Sequence, residues 1–369
     1  MNTVTKISSL ALLVAFLVVL AAPAEAKDAA RDKKIDAMTA KAVKYLSSRQ
    51  ADDGSFVGEM GPGVTGVITM GLLEAGVKTS TPVVAKALKY LKGFTQKDGG
   101  IYKKDSFTKS YETSIALQVF ALANKDGQYD ALIKNAKDYI TGAQWGADGK
   151  VKKSENYFGG AGYGKHQRPD LSNTAFLLDA LKAAGTKADD PAMKRALVFV
   201  SRCQNLESEH NTTPWATKIN DGSFYYTPGE TKPDEGKLTE NGGLRGYGSM
   251  TYAGLKSMVY AGLSAKDKRV KAAFEWATKN YDLTTNPGMG PEGLFYYYMT
   301  LAKALSAMEA DKIVDADGKK HIWRDDMVNQ LEKQQRKDGS WINTGSDRWL
   351  EGEPLLVTGY ALIALGYCK

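Results

Sequence analysis

Cysteine is nearly absent. Only Cys203 and Cys368 occur in 369 residues, so no disulfide framework holds this chain together. Histidine is scarcer than usual too. His166, His210 and His321 are the only ones, none has metal-ligand spacing, and Cys203 with His210 offers two ligands where tetrahedral zinc wants three or four. Phosphate loops of the Gly-Lys-Ser/Thr kind, Gly-x-Ser-x-Gly elbows and dinucleotide fingerprints are missing, and no cofactor or metal is expected. The basic excess is small, +7, and its lysines are scattered rather than clustered among stacking aromatics, which argues against nucleic acid. No apolar run reaches the roughly 18 residues of a membrane span. The longest, Leu10 to Ala22, follows Lys6 and precedes Ala24-Glu25-Ala26, the layout of a signal peptide over residues 1–26. The expected product is exported, periplasmic or secreted, with residues 27–369 as one domain. Its sequence shows no apolar membrane-binding patch, so contact with a membrane is expected to be transient.

What the chain has is a repeat. Gln335-Arg-Lys-Asp-Gly339-Ser-Trp341 is its clearest copy, and Gln50 to Phe56 and Gln96 to Tyr102 keep the same frame. Weaker copies start at Gln144, with Gly149 and Val151, and at Gln204, whose Asp221-Gly222-Ser223-Phe224 arrives late; a fifth slot falls at Tyr281. Amphipathic stretches precede these slots, and a Thr opens an apolar stretch after them. From Thr to the next slot the distance is 31 (65 to 96), 31 (113 to 144), 30 (174 to 204) and 30 (251 to 281). From slot to Thr it is 15, 17, 30 and 47. One connection is fixed and the other free, the pattern of helical pairs whose insertions emerge on one face. Outer helices are expected over 27–50, 82–94, 129–143, 191–203, 267–281 and 322–335. Inner helices are expected over 64–75, 110–123, 171–184, 249–261, 291–308 and 354–367.

The Gln-x3-Gly-x-aromatic units resemble the QW motifs of squalene and oxidosqualene cyclases, and the chain from about residue 35 to 369 resembles the prenyltransferase/squalene oxidase repeat family. That resemblance implies an all-α fold, an α/α toroid of six helical hairpins whose inner helices line a cavity. The family's chemistry does not come with it. The Asp-x-Asp-Asp segment that protonates cyclase substrates is missing, as are the Asp-x-Cys zinc ligands of protein prenyltransferases and the Cys-Gly-Glu-Gln of a complement-like thioester.

Candidate residues follow from the expected geometry. Six inner-helix N-termini at one mouth favour carboxylates there, and Glu112, Asp170, Glu292 and Glu353 sit near those starts. They serve either as dipole partners alone or, facing one another, as a general acid. Tyr247, Tyr252, Tyr296 and Tyr297 lie on or beside inner helices, and of the four aromatics Phe295 to Tyr298 at least one must face the cavity, since helical residues step about 100° apart. The insertion 145–170 brings Tyr163, His166 and Arg168, and the insertion 205–248 brings Arg245. Both are expected over the mouth, where they would bind ligand. Three functions fit: an apolar, isoprenoid-like molecule taken into the cavity; a non-catalytic module holding an extracytoplasmic protein or glycan; or a carbohydrate-active enzyme with a carboxylate pair.

Overall fold

A computed structural model describes residues 12–165 and 167–369, with side chains from residue 28 onward. The segment read as a signal peptide, residues 1–26, lies outside the residues whose side chains are described. No helix among the described residues is long and apolar enough to cross a membrane.

Among the described residues, twelve helices alternate between two rings. The outer ones are α1 (Leu12–Arg49), α3 (Pro82–Lys92), α5 (Asp130–Ala143), α7 (Pro191–Arg202), α9 (Lys268–Lys279) and α11 (Trp323–Gln334). The inner ones are α2 (Pro62–Glu74), α4 (Lys109–Ala123), α6 (Leu171–Ala183), α8 (Gly248–Tyr260), α10 (Leu294–Ala307) and α12 (Pro354–Gly366). Each inner helix packs on the next, and α12 returns onto α2 to close the ring. The inner helices are buried nearly all round, as α12 shows from Leu356 to Leu365. A helix enclosed on every side can afford few charges. The outer helices keep one apolar face, such as Val84, Ala87, Leu88 and Leu91 of α3. A two-stranded hairpin, β1 (Ile313–Val314) and β2 (Lys320–His321), decorates the link from α10 to α11. Its turn residue Asp315 accepts the amides of Asp317 and Lys319.

The repeat has a mechanical reading. Gln50 Nε2 donates to Gly54 O within its own loop and to Val83 O, the second residue of the next outer helix. Gln144 does the same to Gly159 and Ala192, Gln204 to Gly222 and Arg269, and Gln335 to Gly339 and Met38 of α1. Three residues further along each of those helices, the loop glycine meets backbone: a Cβ on Gly54 would stand 2.4 Å from Lys86 O, and on Gly339 2.4 Å from Lys41 O. Both glycines have φ +93°, so only glycine supplies the turn and the approach. The Thr of the following inner helix then bonds the backbone two residues beyond the glycine, at Phe56, Ile101, Ala161, Phe224 and Trp341.

Two slots differ from the sequence expectation. Helix α3 ends early, so Thr95 rather than Gln96 takes the first position, Gly99 (φ +89°) the glycine's and Ile101 the aromatic's. Gln96 consequently bonds only Phe94 O and Tyr102 O in its own loop. In the third repeat the insertion falls inside the motif, and Gly159 and Ala161 do what Gly149 and Val151 were expected to do.

Deep in the barrel, Asp179 of α6 meets Lys256 Nζ at 2.5 Å and Lys303 Nζ at 2.8 Å, and Gln118 Oε1 accepts from Lys303 at 3.2 Å. All four side chains are buried. Cys203 and Cys368 are buried and unpaired.

Candidate functional site

The six inner-helix N-termini open on one side, into a chamber of about 320 Å³. First-turn or second-turn residues of all six helices form its wall, among them Val64, Glu112, Phe176, Met250, Tyr296 and Tyr360. The crown comes from loops: Met60 and Thr108 from short ones, Tyr163 from the insertion 145–170, and Tyr226, Lys232 and Tyr247 from the insertion 205–248. Both long insertions therefore reach the same rim. A third segment, Trp349-Leu350-Glu351, completes it.

Aromatic rings close the chamber below. Tyr111 and Phe176 meet edge to face at 5.0 Å, Phe176 and Tyr296 lie 6.4 Å apart, and Tyr296 and Tyr360 6.0 Å. The Tyr296 hydroxyl is fixed by Ser172 Oγ at 2.8 Å. Asp179 follows Phe176 by three residues and Lys303 follows Tyr296 by seven, so the ion cluster lies roughly 5 to 10 Å deeper at a 1.5 Å rise per residue. The chamber is a cup open at one end.

Two carboxylates reach its wall, and each is heavily bonded. Glu112 accepts Lys103 N (2.8 Å), Ser106 Oγ (2.5 Å) and Thr108 Oγ1 (2.7 Å). Glu351 accepts Phe295 N and Tyr296 N at the start of α10, and Asn343 Nδ2. Burial still lifts the Glu351 pKa above the ordinary range. Asp170 is buried just behind the wall, capping α6 through Asn173 N at 2.8 Å, and burial raises its pKa as well.

The expected site residues divide cleanly. Glu112, Tyr163, Tyr247 and Tyr296 line the chamber. Glu292 instead pairs with Arg348 at 2.6 Å, and Glu353 caps its own helix through Leu355 N, so neither enters the wall. Arg168 pairs with Glu230, and Arg245 with Asp234 and Lys237 O, outside the chamber. Tyr252 and Tyr297 point away from the axis: their rings pack edge-on at 5.7 Å and the Tyr297 hydroxyl reaches Asp282 O. Helical phase is the reason, since Tyr296 takes the inward direction among the four aromatics. His166 lies outside the described residues. Among the described residues no group of three or more His, Cys, Asp or Glu could hold a metal.

Sequence reasoning missed Glu351, Lys232, Tyr226, Trp349 and Leu350. Glu351 caps a helix other than its own, a pairing that no local pattern encodes. The rest sit on loops whose path has no periodicity to read.

The family model for the squalene-hopene cyclase C-terminal domain matches residues 62–227. No curated protein matches the chain in sequence. Solved structures share its architecture. A variant of the type II terpene cyclase MstE from Scytonema, in complex with geranylgeranyl dihydroxybenzoate, superposes with a TM-score of 0.51 at 12% identity, covering 92% of this chain and 98% of that one. A polysaccharide lyase gives 0.52 at 12% identity over 92% and 97%. A glycosyl hydrolase of family 88 from Bacteroides vulgatus gives 0.50 at 10% identity over 91% and 98%.

Proposed function

We propose that this chain, a squalene-cyclase-like toroid of the terpenoid cyclase superfamily, holds a small apolar molecule of isoprenoid character in its cup. The observation that carries this reading is the wall itself, to which Val64, Val67, Phe176, Met250, Leu356 and the tyrosine rings give a mostly apolar surface. Such a lining favours burial of an apolar chain, worth about 25 cal/mol per Å² removed from water. Ring faces also stabilise positive charge on a bound alkene. A proton given to that alkene would come from Glu351 or Asp170, two carboxyls at the mouth whose pKa burial raises. The protein works outside the cytoplasm after losing residues 1–26, and N-terminal sequencing of the mature form is expected to begin at Lys27.

Lipid extraction and mass spectrometry of protein purified from its native source test the reading. A stoichiometric isoprenoid is expected. A bound oligosaccharide, or no ligand at all, would sink it. Leu356→Trp, which fills the cup from α12, is expected to weaken binding of a soluble isoprenoid such as geraniol by tenfold or more, on the order of 1.4 kcal/mol.

A further inference from the structure

A second hollow lies outside the cup and shares no lining residue with it. It measures about 570 Å³ and runs between the loop after α3, the end of α5 and the insertion 145–170. Gly142, Ala143 and Lys165 also line a smaller hollow of about 60 Å³ that reaches Trp145, so the two join into one furrow. Its walls carry aromatic rings. Phe107 stands 72% exposed, Tyr139 is half-buried beside Tyr102 with ring centroids 5.4 Å apart, and Trp145 is half-buried at the far end. One residue ties the two ends together: Gln167 Nε2 donates to Phe107 O at 2.9 Å, and Gln167 O accepts from the Trp145 indole at 2.9 Å. The furrow is thus shaped before a ligand arrives, which spares the ordering cost of binding.

Its floor holds a glycine that the fold does not require. Gly142 lies within α5 without a positive φ, and a Cβ there would meet nothing within 4 Å. Glycine weakens a helix interior. Here it neither turns the chain nor admits another element, and its effect is to keep the floor open. Charge then selects the occupant. Asp98 accepts the Tyr102 hydroxyl and the Gly100 amide, and Asp138 pairs with Lys134. Lys109 lies 5.0 Å from the Tyr102 ring, and among the described residues neither it nor Lys165 pairs with a carboxylate. The unanswered charge in the furrow is therefore positive, set between ring faces and carboxylates that can accept hydroxyls. A sugar ring lays its C–H face on the negative face of an aromatic ring, and a uronate adds a carboxylate for each ammonium. A phosphodiester strand, with its denser negative charge, would instead meet Asp98 and Asp138 along the same walls.

We propose that this furrow binds a strand of acidic, uronate-bearing glycan, seated on Phe107 and Tyr139 with its carboxylates at Lys109 and Lys165. The purified full chain is titrated calorimetrically with oligogalacturonate, oligomannuronate and hyaluronan fragments, and with neutral xylo-oligosaccharide as the reference. At least one acidic glycan is expected to bind, more tightly than the neutral one, and to weaken with salt. Phe107→Ala is expected to lower its affinity about fivefold or more, and Lys165→Ala about threefold. Gly142→Leu sets a side chain over the open floor, and should abolish binding while leaving the melting temperature unchanged or higher. Failure of all three acidic glycans to bind overturns the proposal. So does binding that survives both Gly142→Leu and Phe107→Ala, because adsorption to surface lysines needs no furrow. Equal or tighter binding of oligothymidylate or polyglutamate would overturn it as well, by giving the furrow to another polyanion.

Discussion

Asp179 carries two ammonium groups in the driest part of the barrel, with Glu74 the next carboxylate toward the far end and its own pKa raised by burial. Asp179→Asn would leave Lys256 and Lys303 facing each other, and a cost of about 3–5 kcal/mol is expected in urea unfolding. Lys256→Met removes the surplus charge and leaves a paired Lys303, so it should cost less. Burial lowers the Lys256 pKa from 10.5 to about 8 despite Asp179. Between those values the folded form sheds a proton that the unfolded chain keeps, so this group's contribution to stability rises with pH across that window. Lys256→Met is expected to flatten that rise. None of this was visible beforehand. Asp179, Lys256 and Lys303 each look like an ordinary charge in an apolar stretch, and only ring closure brings α6, α8 and α10 to one axis.

At the scale of the element, much was legible. Periodicity placed eleven of the helices, and the end of α1, to within a few residues, because apolar spacing follows directly from what each face must bury. The fixed Thr-to-slot distance also had a physical origin: an inner helix, a short turn and an outer helix have set lengths, whereas the loop after the slot crosses open space. What failed was register within the loops. Nothing in Thr95-Gln96 says that α3 stops two residues early and shifts the motif by one, and nothing in Gly146 to Gly160 says which glycine meets Arg195 O. Gln204→Leu tests the clasp. It strips a buried donor from Gly222 O and Arg269 O, and a loss of about 2–3 kcal/mol is expected. Hydrogen exchange should quicken first in the opening turn of α9. Exchange rising equally in every helix would deny the clasp its local role.

For the molecule as a whole, the seam between α12 and α2 depends on small residues. A Cβ on Gly71 would stand 2.5 Å from Gly359 O, and one on Gly359 3.1 Å from Ile68 Cα. Gly359→Val is expected to part the seam, lowering the melting temperature by several degrees and enlarging the radius of gyration in small-angle scattering. The mouth was the least legible part at this scale. Its position followed from helix direction, yet which carboxylates face the cup depended on caps made across the ring, as Glu351 makes for α10.

The clasps also run in one direction: Gln50, Gln144 and Gln204 each grip the helix that follows, and Gln335, in the last, grips the first. Gln335 donates to Met38 across 297 residues. As the chain leaves the ribosome, every other grip forms soon after its partner emerges, but α1 is born long before its holder. It must therefore spend nearly the whole of synthesis with that edge bare, and the circle shuts only as a final act.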